Sequence, residues 1–250
     1  MPESRVDDRS FAEVLTDFRR DPRSLLWQVP GIWPIAKPAG PSSGLVVVRA
    51  RKELGLKKIG HAGTLDPMAE GLLVLLTAGA SRLFDKMQEF PKSYTAEFRL
   101  GERTDSQDVT GKPLADWVPD RQPPLPRDEV EHVLAGFYGL INQIPPMYSA
   151  LKKDGRPLYK LARKGETVER AVRTATVFAL RLCGFDGNAG RLEMCVSKGF
   201  YVRTLIDDLG VALGVGAVMT GLRRTAIGPF HLDEAAAMGE LAARRMFAGD

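Results

Sequence analysis

One short stretch of the sequence contains residues that could do chemistry. Residues 57–73 read KKIGHAGTLDPMAEGLL, in which Asp66 follows His61 by five residues and precedes an apolar run. A carboxylate can act as a nucleophile, but an aspartate followed by a proline is also a common way to begin a helix. Three glycines in the stretch allow tight backbone conformations that a plain helix start does not require. Two interpretations of Asp66 therefore stay open, a helix cap and a catalytic group.

A second stretch, SKGFYVRTLIDDLG at residues 197–210, opens a predicted helix with Tyr201 and Arg203. In a purely structural interpretation Tyr201 packs against the core and Arg203 pairs with Asp207, since residues four apart lie on the same helix face. The stretch on its own leaves this interpretation open.

Metal and nucleotide motifs do not occur in the sequence. His61 has no second histidine at ligand spacing. The segment DSQDVTG at 105–111 resembles a calcium loop, but Val109 occupies the fifth position, where an oxygen ligand is needed. Glycine-rich phosphate-binding fingerprints are also missing. We therefore predict that no metal and no cofactor is used, and that Cys183 and Cys195 are buried, reduced thiols.

The elements that must position these residues are mixed in type. An apolar run at 71–77 predicts a buried strand, and alternation around Tyr94 predicts a half-buried strand. Several predicted strands follow each other without intervening helices, which favours an α+β fold with a mixed sheet. Helices are predicted at 10–20, 44–54 (capped by Ser43 and closed by Gly55), 128–138 and 201–213; strands at 31–35, 71–77, 94–100, 174–185 and 191–197; and long connections at 102–127 and 149–173.

Composition and charge restrict the function classes further. The chain has 250 residues, a net charge of +4 and a pI near 9.1, which permits a polyanionic partner without requiring one. Its apolar runs are far shorter than the roughly 20 residues of a membrane span, and its N-terminus lacks the apolar core of a signal peptide. We expect a cytoplasmic protein with no membrane partner.

Taken together, the motifs resemble those of the TruB-type tRNA pseudouridine synthases. The similarity runs from about residue 35 to residue 230, and its pieces occur in the family's order: KPAGPSSGLVV, KKIGHAGTLDPMAEGLL, KSYTAEFRLGERTDSQDVTG, QIPPMYSALKKDGRPLYKLARKGE, SKGFYVRTLIDDLG and LRRTAIGPF. Each piece alone is weak evidence. Six in order imply the pseudouridine-synthase fold, a mixed and mainly antiparallel sheet flanked by helices and long loops, and an isomerase activity.

The resemblance assigns roles to residues of this sequence. It implies that Asp66 is the catalytic aspartate, that Arg203 is the partner of its carboxylate, and that Tyr94 stacks on the target base. It further implies that Tyr201 and Leu222 contribute to the substrate pocket and that His61 props open the RNA loop. A flipped base needs a replacement for its lost stacking, which an aromatic face provides.

The resemblance also implies a partner and a domain organisation. The expected substrate is the T-arm stem-loop of tRNA, with uridine 55 as the target, and the expected enzyme is a monomer without a protein partner. We expect residues 1–30 to be an N-terminal extension, residues 31–250 to be the catalytic domain, and no C-terminal PUA domain. The alternatives are a guide-RNA-dependent pseudouridine synthase and a non-catalytic RNA-folding protein.

Basic residues adjoin these motifs and are predicted to meet RNA phosphates. They are Lys57, Lys58, Lys152, Lys153, Arg156, Lys160, Arg163, Lys164, Arg223 and Arg224.

Overall fold

The structure is a computed structural model that describes residues 31–241. The predicted helix at 10–20 and the predicted extension at 1–30 lie outside the described residues. Within them, no helix is both long enough and apolar enough to cross a membrane.

The described chain alternates strands with short helices. The α-helices are α1 Ser43–Leu54, α2 Phe84–Glu89, α3 Arg127–Ala135, α4 Leu158–Ala162 and α5 Val202–Ala212, and 3₁₀ turns cover Ala78–Leu83 and Leu232–Glu234. The strands are β1 Ile32–Lys37, β2 Ile59–His61, β3 Glu70–Thr77, β4 Lys92–Leu100, β5 Gly139–Gln143, β6 Lys152–Lys153, β7 Arg156–Pro157, β8 Arg173–Phe185, β9 Ala189–Val196, β10 Ala217–Ile227, β11 Phe230–His231 and β12 Ala236–Ala237.

Ten of these strands form one sheet in the order β12-β1-β3-β10-β4-β9-β8-β5, with β2 paired to β3 and β11 paired to β10. The β3–β10 and β1–β12 pairs are parallel, and all the other pairs of this sheet are antiparallel. The predicted α+β class with a mixed, mainly antiparallel sheet is therefore confirmed.

Strand β3 is apolar throughout because both of its faces are covered. Leu72, Val74 and Leu76 pack into one core cluster, and Leu73 and Leu75 pack into another that includes the inner face of α1. A strand enclosed on both sides has a continuous apolar run in place of alternation. The predicted buried strand at 71–77 is confirmed.

Close contact between β3 and β10 depends on a glycine. Gly71 has a φ of 104° and lies opposite Arg224, and a Cβ at this position would come within 2.3 Å of the Arg224 carbonyl oxygen. Only glycine tolerates both the backbone conformation and the approach. This contact brings the β10 segment with Leu222 and Arg224 beside the loop that carries Asp66.

The sequence predicted the C-terminal cap of α1 correctly but not its N-terminal cap. Gly55 closes the helix in the left-handed conformation, with a φ of 64°, as expected. The N-cap is Ser42, whose side chain accepts from the Leu45 amide, and not Ser43 as predicted. Ser43 is buried and bonds elsewhere, as described below.

The remaining elements show where local patterns were informative. The half-buried strand around Tyr94, the helix after Tyr201 and the strands at 174–185 and 191–197 are confirmed, the last two as β8 and β9. Strands β5 and β10 were not predicted, and the expected loop at 149–173 contains β6, β7 and α4.

Candidate active site

Asp66 lies in the loop between β2 and β3, and no helix begins there. The segment after Asp66 turns back without helical structure and leads directly into β3, with the Ala69 amide donating to the Asp66 carbonyl at 3.1 Å. The helix-cap interpretation of Asp66 is therefore wrong, and its carboxylate is not used to cap a helix.

Three buried side chains hold this loop in place. The Ser43 hydroxyl donates to the Leu65 carbonyl and accepts from the Leu65 amide, both at 2.8 Å. The Lys37 ammonium donates to the carbonyls of Pro67 at 3.3 Å and Ala69 at 2.5 Å.

The third of these side chains is Arg224, whose guanidinium donates to the Gly63 carbonyl at 3.0 Å and the Leu72 carbonyl at 2.8 Å. Both Arg224 and Lys37 are only 1% exposed. The prediction that Arg224 meets an RNA phosphate is therefore wrong, because its donors are used to hold the loop that carries Asp66.

Arg203 contacts the Asp66 carboxylate directly. Its Nε lies 3.0 Å from Asp66 Oδ2, and its side chain is 5% exposed whereas that of Asp66 is 34% exposed. The other two guanidinium nitrogens donate to the Ser106 carbonyl at 2.8 Å and the Tyr148 carbonyl at 2.7 Å. Arg203 thus presents one donor to Asp66 while backbone carbonyls fix its orientation.

The alternative pairing of Arg203 with Asp207 does not occur. Asp207 bonds instead to Arg103, with Nε to Oδ1 at 2.7 Å and the terminal nitrogen to Oδ2 at 2.8 Å. The structural interpretation of Arg203 from its helix spacing is therefore wrong.

Asp108 is a site residue that sequence reasoning missed. Its Oδ2 lies 3.7 Å from the Arg203 guanidinium, and its Oδ1 accepts from the hydroxyls of Ser106 and Thr110. The sequence signal for Asp108 is the run of short polar residues in DSQDVTG, which the rejected calcium-loop interpretation leaves unexplained. Asp108 supplies a second carboxylate to the same guanidinium.

Opposing effects act on the pKa of Asp66. Burial raises it, the neighbouring Arg203 cation lowers it, and the Asp108 carboxylate raises it again, so that the net direction is upward from the ordinary value of 3.8. Lys37 adds a further lowering effect through its charge.

The Asp66–Arg203 pair lies in a pocket of about 270 Å³. Tyr94 from β4, Tyr201 at the start of α5 and Leu222 from β10 line the same pocket. The Gln143 side chain holds the Tyr201 backbone in place. Its oxygen accepts from the Tyr201 N–H at 2.9 Å, and its nitrogen donates to the Tyr201 carbonyl at 3.0 Å. Five of the six predicted site residues therefore converge on one cavity from four segments of the chain.

His61 is the predicted site residue that does not line this pocket. It ends β2, just before the loop that carries Asp66. Burial and, to a smaller extent, the positive charge of Arg224 lower the pKa of His61 below its ordinary value of 6.5. The imidazole is therefore neutral near pH 7.

Lys92 also lines the pocket, although the sequence analysis assigned no role to this first residue of the KSYTAEFRLG motif. It is buried, and its ammonium donates to the Gln88 and Phe90 carbonyls, the latter at 2.6 Å. Burial lowers the pKa of Lys92 to about 8. The sequence shows a lysine two residues before Tyr94, but it does not show that this lysine is buried.

Two models of one enzyme family match most of the chain. A family model described as "TruB family pseudouridylate synthase (N terminal domain)" matches residues 51–202, and another described as "tRNA pseudouridylate synthase B C-terminal domain" matches residues 203–249. The chain therefore belongs to the TruB family of pseudouridylate synthases, which are isomerases. The predicted family and enzyme class are confirmed.

Individual relatives agree with this membership. The chain is 45% identical over 228 residues to tRNA pseudouridine synthase B of Cupriavidus taiwanensis, covering 90% of this chain and 71% of that protein. It is 43% identical over 213 residues to the protein of the same name in Bordetella avium, covering 85% and 87% of the two chains.

Solved structures share the fold. A chain in the crystal structure of a Cbf5-Nop10-Gar1 complex superposes with a TM-score of 0.67 at 31% identity, over 90% of this chain. A chain in the structure of an H/ACA RNP bound to a substrate RNA containing 2'-deoxyuridine superposes with a TM-score of 0.63 at 28% identity, over 92% of this chain. This chain spans 57% of the length of each of those two chains.

Proposed function

We propose that this protein is a tRNA pseudouridine synthase that isomerises uridine 55 in the T-loop, with Asp66 as the nucleophile. The observation that carries the proposal is the Asp66–Arg203 ion pair in a pocket flanked by two tyrosines. The relatives named tRNA pseudouridine synthase B support the choice of tRNA as the substrate.

The reaction needs a nucleophile and no change of oxidation state. The N1–C1′ glycosidic bond of uridine breaks and a C5–C1′ bond forms, while C5 loses a proton and N1 gains one. Asp66 bonds covalently to the nucleotide. While this bond exists, the base is released, rotates and is reattached to the ribose. The Asp66 carboxylate is then expelled. Only the ionised carboxylate can do this, and the Arg203 guanidinium at 3.0 Å favours that form.

The pocket walls suit a base that has left its stack. Extruding a nucleotide costs a few kcal/mol, and the Tyr94 ring supplies a replacement stacking surface. Leu222 closes the pocket on the apolar side, and Tyr201 lines it beside Arg203. His61, neutral and outside the pocket, fills the space that the flipped base leaves in the RNA loop.

Exposed lysines and arginines supply the phosphate contacts. The hairpin of β6 and β7 presents Lys152, Lys153 and Arg156 on its exposed surface. Arg223 is 56% exposed and pairs with Glu70, so its charge is already partly compensated. We propose that the protein acts in the cytoplasm as a monomer that needs no protein partner.

A guide-RNA-dependent mechanism is the competing function, because one of the superposed chains comes from an H/ACA RNP bound to a substrate RNA. One assay separates the two. Purified protein is incubated with a T-stem-loop transcript carrying tritium at C5 of its uridines, and release of label to water is followed. Release without any guide RNA supports the proposal. Release that occurs only with a guide RNA would overturn it, and binding without release by any route would indicate a non-catalytic RNA-folding protein.

A further inference from the structure

A partly buried polar network ties helix α5 to the long connection at 101–126, outside the pocket. Arg103 binds both carboxylate oxygens of Asp207, and the Gln107 side-chain amide donates to Asp207 Oδ2 at 3.0 Å. The Gln107 side-chain oxygen in turn accepts from the Thr204 hydroxyl at 3.0 Å. The Asp207 carboxylate, with 6% of its side chain exposed, is thus fully engaged by the connection.

Each end of the network makes a further contact. The Arg103 guanidinium lies over the Trp117 ring, 5.9 Å from its centroid. Gln107 is held in the left-handed conformation, with a φ of 64°, and its carbonyl accepts from the Met219 amide of β10. The connection is therefore attached to β10 as well as to α5.

The network binds α5 within about one helical turn of Arg203. Asp207 lies one turn after Arg203, and Thr204 is the next residue. One of the two carbonyls that accept from the Arg203 guanidinium belongs to Ser106, which is adjacent to Gln107. Any shift of the connection relative to α5 would therefore change the direction in which Arg203 points.

We propose that Arg103, Gln107 and Asp207 form a positioning network that holds Arg203 against Asp66. None of the three lines the pocket, so they act through Arg203 and not on the substrate. Their role for the reaction rests on the proposed function of Asp66, but the placement of Arg203 can be measured without RNA.

The test variant is Asp207→Asn, which keeps the size of the side chain and removes its charge. We expect the single-turnover rate on the T-stem-loop to fall about 10- to 100-fold, because misplacement by about 1 Å has effects of this size. RNA affinity should stay within about threefold, since it depends on phosphate contacts. Glu131→Gln is the matched control: it also replaces an acid that pairs with an arginine, on exposed helix α3, and should behave as wild type.

A second measurement separates positioning from a general loss of structure. The Asp66 carboxyl is titrated by ¹³C NMR in the free protein and assigned by its absence in Asp66→Asn. The groups facing it are Arg203 from α5, Asp108 from the connection and Lys37 from β1. If Arg203 moves away in Asp207→Asn, the pKa of Asp66 rises above its wild-type value. Gln107→Met removes only the amide contacts, so it should raise the pKa of Asp66 less than Asp207→Asn does.

The outcomes are distinct. A folded Asp207→Asn protein with a wild-type rate and an unchanged Asp66 titration overturns the positioning role, and so does a slower rate with an unchanged titration. If wild-type protein never releases label from RNA, the proposed function is wrong. A raised Asp66 pKa in Asp207→Asn would still establish that the network positions Arg203.

Discussion

Replacement of Arg203 by lysine tests the central ion pair while keeping the positive charge. The guanidinium makes three directed contacts, to Asp66 at 3.0 Å, to the Ser106 carbonyl at 2.8 Å and to the Tyr148 carbonyl at 2.7 Å. The three donors of a lysine ammonium all lie on one nitrogen, so lysine cannot reproduce this planar fork. We expect Arg203→Lys to lose the bond to Asp66 and to leave at least one buried carbonyl without its donor.

The size of the effect follows from the lost contact. A hydrogen bond to a charged group contributes about 1.5–3 kcal/mol, which corresponds to a rate reduction of about 10- to 150-fold if it acts in the chemical step. An unpaired buried carbonyl costs a further 1–3 kcal/mol or so of folding stability. The variant should therefore be slower and should also melt at a lower temperature.

The assay is single-turnover release of tritium from C5 of the T-stem-loop uridine, at a temperature where circular dichroism shows the variant to be folded. Arg99→Lys is the matched control, because Arg99 pairs with Glu102 on the exposed surface and contacts nothing in the pocket. A folded Arg203→Lys protein that binds RNA and reacts within about threefold of wild type would refute the reasoning.

Four further outcomes are expected. Asp66→Asn should abolish label release while RNA affinity, measured by filter binding, changes only a few-fold; measurable turnover in a clean preparation would remove Asp66 from its role. The acid limb of the wild-type rate should lie above pH 3.8, since the pKa of Asp66 is raised and activity is lost as pH falls through it; a limb at or below that pH would contradict the buried carboxylate. His61→Phe should stay more active than His61→Ala, because a neutral side chain that fills space acts by shape; equal loss in both, together with loss of a titration near pH 6.5, would indicate proton transfer instead. Activity should survive EDTA when the RNA remains folded, and restoration of an EDTA-inactivated enzyme by zinc alone would disprove the prediction that no metal is used.

Local sequence patterns predicted the elements whose burial is one-sided or complete. The run at 71–77 indicated β3, and the alternation in 94–100 indicated β4. Strand β10 was not predicted because Gly221 and two arginines interrupt its apolar pattern. Its strand conformation depends on pairing with β4 and β3 on either side, which no local window contains.

Side-chain partners were decided by the tertiary structure. Helical spacing predicted that Arg203 would pair with Asp207. Both oxygens of the Asp207 carboxylate are instead bound by Arg103, which precedes Asp207 by 104 residues in the chain. Arg203 is thereby left for Asp66, a pairing that only the family resemblance had anticipated. Likewise Arg224 was expected at the surface as a basic residue, and it is buried because several backbone carbonyls of the Asp66 loop and β3 converge on its guanidinium.

The sequence by itself determined which residues are chemically competent and in what order the motifs occur. Those properties depend on residue type and spacing, which are the same in the unfolded and the folded chain. Only the tertiary structure decided that Asp108 lies beside Arg203, that Lys37 and Arg224 hold the loop, and that His61 stays outside the pocket. These facts depend on contacts between distant segments, and their energies are set by burial and by the partners that folding brings within reach.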